Sequence, residues 1–106
     1  MLFQTIEVGN GLPATIVASG TAVSVNTVRL KGILRLLHIN PTTATTEWSL
    51  NIIDNKSRTV RKYVSEIGLR NDTEPLPMEG KYTLQFTGVS IDEAITVLLK
   101  LEEANR

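Results

Sequence analysis

The sequence predicts an all-β protein, a single-domain β-sandwich, jelly-roll-like, of about seven to eight short antiparallel strands. Three observations carry that prediction. Alternating apolar and polar residues recur along the 106 residues, the period-two signature of strands buried on one face. Gly, Asn, Asp and Pro punctuate them at short intervals. No repeat, low-complexity tract or linker divides the chain.

Phe3, Thr5 and Glu7 alternate with Gln4, Ile6 and Val8, so residues 1–8 form a first strand or an extended N-terminal arm. Gly9-Asn10-Gly11 is a turn and Pro13 a break. A short strand is expected over Ala14–Ala18, then an extended Thr21–Asn26 of small and β-branched residues.

The longest early strand is Val28–Ile39. Val28, Leu30, Gly32, Leu34 and Leu36 share one face, and Arg29, Lys31 and Arg35 take the other. Ile33 and Leu37 break the alternation, which calls for a bulge or burial on both sides. A helix over Leu30–His38 competes through its leucines and arginine, but Asn40-Pro41 and the β-branched lead-in weigh against it.

After a threonine-rich loop at 42–46, Glu47–Asp54 alternates cleanly, with Trp48, Leu50 and Ile52 inward. Asp54-Asn55-Lys56-Ser57 is a hairpin turn, since Asn and Asp tolerate the left-handed backbone. Arg58–Val64 returns as the partner strand, with Val60, Lys62 and Val64 opposite Thr59, Arg61 and Tyr63. Residues 65–80 read as a long irregular crossing, because Pro75 and Pro77 forbid a central strand. Gly80–Phe86 is a strand with Tyr82, Leu84 and Phe86 on one face. Ile95–Leu101 is the last strand, with a helix from Ile91, capped by Ser90, as its competitor.

Composition narrows the function classes. With 42% hydrophobic residues the chain supports a core of its own. Cysteine is absent, so there are no disulfides and no thiolate metal sites. Eleven basic and eleven acidic residues cancel, so no global field draws nucleic acid or membrane. No run of about eighteen apolar residues is long enough to cross a bilayer as a helix, and the N-terminus does not read as a secretion signal. Basic residues dominate the first two-thirds and acidic ones follow from Glu66 onward. Mixing of these charges on the folded surface is the favoured outcome, and complementary docking patches are the alternative.

A search for reactive constellations is negative. His38, the lone histidine, has no ligand-type neighbour at a metal-binding spacing. Asp92-Glu93 reads as a solvated turn rather than a calcium site. Asp72, Glu74 and Glu79 form a poor glycosidase set in so small a domain. Gly9-Asn10-Gly11 is too short to cradle a phosphate. Trp48, Tyr63 and Tyr82 could stack on sugar only if exposed and coplanar, and core packing is their default. Arg29, Lys31, Arg35, Arg58, Arg61 and Lys62 lack the neighbouring aromatic platform of a nucleic-acid site. The expectation is a non-enzymatic protein without cofactor or metal.

At Asp54-Asn55-Lys56-Ser57-Arg58, at Gly80-Lys81-Tyr82-Thr83-Leu84 and along the apolar strand Ala94–Leu101, the chain resembles small β-sandwich decoration (cement) proteins of tailed bacteriophage capsids. The likeness covers residues 28–101 and rests on strand layout and short turn motifs. It implies a virion protein on the capsid exterior, assembled in the host cytoplasm. Its partner would be the major capsid protein, bound by a homo-oligomer, often a trimer, that stabilises the head. Leu2, Phe3 and Ile6 in the arm, and Arg29, Lys31 and Arg35 on a charged strand face, are the candidate partner contacts. The alternative is a carbohydrate- or host-binding β-sandwich module of a phage tail or cell surface.

Overall fold

Alternating side chains become two sheets facing each other across one core. The computed structural model describes residues 7–17, 22–89 and 93–102. Ten strands are formed there: β1 (Glu7–Val8), β2 (Ala14–Val17), β3 (Ala22–Thr27), β4 (Leu30–Pro41), β5 (Glu47–Ile53), β6 (Thr59–Ile67), β7 (Arg70–Asp72), β8 (Leu76–Gly80), β9 (Thr83–Thr87) and β10 (Ala94–Glu102). The front sheet runs β1-β3-β9-β5-β6; the back sheet runs β2-β10-β4-β7, with β8 also on β4. Pairing is antiparallel except for the short parallel β1–β3 contact. The fold is the β-sandwich expected.

The front sheet sends Trp48, Leu50, Ile52, Leu84 and Phe86 into the core. The back sheet meets them with Ile16, Leu34, Leu37, Ile39, Ile95 and Leu99. Burial of each aliphatic side chain contributes about 1.5–3 kcal/mol. Trp48 sits edge-on to Phe86, with ring centroids 6.2 Å apart, and lies at the same distance from Tyr63. Core packing is therefore what Trp48, Tyr63, Tyr82 and Phe86 do.

In β4 the expected break in alternation is a bulge. Lys100 pairs with Leu36 and Leu101 with Leu34, so Arg35 is the extra residue. The slip turns Leu37 into the core and Leu36 outward, correcting the face assigned to Leu36. The bulge also divides β4's other edge, with β8 on Leu30–Leu34 and β7 on Leu37–Ile39. No helix forms at Leu30–His38, and Ala94–Glu102 is a strand.

Two expectations need correction. Residues 65–80 are not irregular: they hold the end of β6 and all of β7 and β8. Proline stays compatible because β8 is paired on one side only, so Pro77's missing N–H breaks no second ladder. This segment is why the strand number exceeds the expectation. The Gly80–Phe86 strand is also two pieces. Gly80 ends β8 in the back sheet, and its φ of 101° turns the chain across to β9 in the front sheet.

The Gly9–Gly11 turn does more than reverse the chain. The Asn10 side chain accepts the Leu101 N–H at 2.8 Å and donates to the Leu101 carbonyl at 3.3 Å. It thereby stands in for a neighbouring strand beside β10. At the front edge, the Val8 carbonyl accepts the Val28 N–H at 2.9 Å. Val8 is buried in the chain's own core. Leu2, Phe3 and Ile6 lie outside the described residues.

Candidate docking surface

Alternation along β4 sets one row of side chains on the outside of the back sheet. Arg29, Lys31 and Arg35 are all exposed there or at its margin, as the sequence suggested. Between and beside the charges lie half-buried aliphatics. Ile33 is aligned with Glu102 and Pro77, Leu36 with Lys100, and Leu98 with His38. Sequence reasoning missed these aliphatic members. Leu36 was assigned to the core face, and the bulge that exposes it has no distinct signature beyond the broken alternation. The surface thus alternates charge with half-buried apolar area.

Its charges are partly balanced. Arg35 donates from Nε to Glu102 at 2.9 Å, and its Nη2 lies 2.8 Å from the same carboxylate. Both side chains are at least half exposed, so the pair adds little stability. Lys31 lies across the ladder from Glu79. Beside them an open groove of about 370 Å³ is lined by Lys31, Pro77, Glu79 and Tyr82, among others. His38 Nδ1 is 2.6 Å from the Asn71 side-chain oxygen, an ordinary surface pairing.

A second polar cluster closes one open edge of the sandwich. Tyr63 on β6 donates its phenol hydrogen to the carboxylate of Asp72 on β7. Arg61 approaches the same carboxylate at 3.8 Å and donates to the carbonyls of Glu74 and Pro75 at 3.0 and 3.1 Å. Arg70 lies over the Tyr63 ring, 5.4 Å from its centroid, and pairs with Glu66 at 2.8 Å.

Burial, with the Asp72 hydrogen bond and charge, pushes the Tyr63 phenol well above its ordinary range. At Asp72 burial works upward. It is outweighed by the Tyr63 phenol, the Glu74 N–H and the charges of Arg61 and Arg70, so the carboxyl titrates below its ordinary range. Tyrosine stays protonated and aspartate stays ionised near neutral pH, so neither is poised to exchange a proton. The cluster is an inter-sheet staple. No buried side-chain nitrogen or oxygen among the described residues lacks a partner.

Other sequence candidates are placed as follows. Trp48, Tyr63 and Tyr82 are buried, so they form no stacking platform. The basic residues do not converge: Lys31 and Arg35 are on β4 of the back sheet, Arg61 and Lys62 on β6 of the front sheet. Two ion pairs join the basic part of the chain to the acidic part, Arg35 with Glu102 and Arg61 with Asp72. Glu79 and Asp72 serve separate strands, and Glu93 accepts the Thr43 N–H at 2.9 Å. Asp92 lies outside the described residues. No cluster of three or more metal-ligating side chains occurs among the described residues.

These features define an all-β sandwich with a mixed row of charged and half-buried apolar side chains on the outside of its back sheet. Comparison with protein-family models, curated proteins and solved structures finds no match to this chain.

Proposed function

We propose that this chain is a non-enzymatic structural protein that attaches to a larger protein shell, in the manner of the capsid decoration proteins it resembles. The observation that supports the reading is the back-sheet face, where exposed Lys31 and Arg35 flank half-buried Ile33 and half-buried Leu36 follows Arg35 on the same strand. Apolar area supplies attraction and the flanking charges supply register. Many modest contacts repeated over a shell add by avidity. In this reading the partner is the major capsid protein and the location is the virion exterior.

Co-sedimentation of the purified chain with expanded capsid shells tests it. Wild-type chain is expected to pellet with the shells at saturable stoichiometry. The Lys31→Glu/Arg35→Glu double variant is expected to lose most of that binding while keeping its fold. Equal binding by the double variant, or none by the wild type, would refute the proposal.

A further inference from the structure

We infer that the outer surface of β6 is a self-complementary contact through which two copies of this chain pair about a two-fold axis near Val64. The inference is independent of shell attachment, which involves the opposite sheet.

Large apolar side chains exposed among the described residues are concentrated at this edge. Val60, Val64, Ile67 and Leu69 are 37, 62, 66 and 56% exposed, four of six such residues. Scattered single exposures need no explanation, but four within residues 60–69, three of them on β6 and Leu69 in the turn after it, do. β6 is the edge strand of the front sheet and pairs only with β5. The pairing slips twice, near Val60 and near Val64–Ser65. Ser65 has φ 53°, and its N–H is taken by the Ser49 hydroxyl at 2.9 Å. Such bulges obstruct extension of the ladder by another strand. The contact must therefore be made by side chains.

Charge identifies the occupant as a second copy. The ladder places Lys62 beside Asn51 and Ile67 beside Glu47 on the outer face, with Val64 between them in the strand. Read along β6, the patch is positive, then apolar, then negative. Rotation by half a turn about Val64 reverses that order. Lys62 then faces Glu47 of the second copy, and Val64 meets its own counterpart. Ile67 covers the aliphatic stem of the opposing Lys62. One patch that contains its own complement is the requirement of an isologous two-fold contact; a three-fold ring needs two different surfaces. Neither Lys62 nor Glu47 makes an ion pair among the described residues. A contact confined to the outer face of one edge strand gives a weak, concentration-dependent dimer.

Sedimentation equilibrium of the full chain from micromolar to millimolar concentration tests the pairing. The mass is expected to rise from 11.7 kDa toward twice that value. Val64→Glu is expected to leave a monomer with an unchanged near-ultraviolet spectrum. Lys62→Glu and Glu47→Lys should each weaken the dimer by roughly tenfold or more at low salt, through like-charge contact. Together they should restore it, a result that general surface damage cannot produce. The inference is overturned by a monomer throughout, by a trimer, by a dimer indifferent to Val64→Glu, or by failure of the charge exchange to restore pairing. A monomer whose Val64→Glu variant loses binding to capsid shells would reassign the patch to the shell protein.

Discussion

The indole N–H of Trp48 donates to the carbonyl oxygen of Gly68 at 2.8 Å, joining the buried start of β5 to the turn after β6. The same glycine donates its N–H to the Thr46 carbonyl at 2.9 Å. Its φ is 70°, and a Cβ there would lie 2.4 Å from the Ala44 carbonyl oxygen. Gly68→Ala is therefore expected to destabilise by about 2–4 kcal/mol, since backbone strain and steric displacement add. Urea unfolding followed by Trp48 fluorescence measures it, and a loss below about 0.5 kcal/mol would contradict this account.

The Tyr63–Asp72 staple makes a pH prediction. Tyr63's folded pKa is raised, so its contribution is complete below its unfolded value of 10.0 and is lost as pH rises beyond it. Asp72's is depressed, so its contribution holds above 3.8 and is lost as pH falls below it. Tyr63→Phe should destabilise by about 1–3 kcal/mol at neutral pH. It should also flatten the alkaline limb of the urea midpoint against pH; an alkaline limb as steep as wild type would discount the staple.

Thr27 is the buried polar residue that links the end of β3 to the crossing before β9. Its hydroxyl donates to the Val28 carbonyl at 2.7 Å and accepts the Tyr82 N–H at 2.9 Å. Thr27→Val keeps the shape but orphans that N–H, with an expected loss of about 1–3 kcal/mol. Thr27→Ser retains the hydroxyl and should cost less. Thermal denaturation of the pair decides; equal losses would point to packing rather than hydrogen bonding.

The β5–β6 turn is organised by Asp54, whose carboxylate accepts the Lys56 and Arg58 N–H groups, each at 2.9 Å. The Arg58 N–H bond is the main reason its carboxyl titrates below 3.8. Asp54→Ala is expected to speed amide exchange at Lys56 and Arg58 without altering the global fold. In the wild type the same protection should be present above 3.8 and fade as pH falls through the lowered value. Unchanged exchange in Asp54→Ala would remove the carboxylate from this role.

How legible the molecule was in its sequence varied by element. β5, β9 and β10 each combine strict alternation with a buried apolar row, so side-chain period alone assigned their core faces. The β5–β6 turn was equally plain from its polar run, but the left-handed backbone falls on Ser57, at φ 64°, rather than on Asp54 or Asn55, and Asp54 acts through its carboxylate instead. Residues 65–80 were obscure: Pro75 and Pro77 argue against strand locally, and only the free edge of β4 makes β7 and β8 strands. A bulge was one of two readings of the broken alternation in β4, and which leucine it exposed depended on the register against β10.

The candidate surfaces divided in the same way. Exposure of Lys31 and Arg35 was legible from the alternation of the sequence, and Arg29, just before β4, is exposed as well. Tyr63 and Asp72 meet across two sheets, and no spacing of nine residues in the chain announces that contact.

By itself, then, the order of residues determined the strand class, the inward faces of the regular strands and the positions of the tight turns, because those depend on neighbours close in the chain. Sheet order, the edge strands β7 and β8, the inter-sheet staple and the charged-apolar patch on β6 were decided only by tertiary structure. The physical reason is that a strand's hydrogen-bonding needs are met by a partner distant in sequence, and the choice of partner sets which edges and side chains remain open.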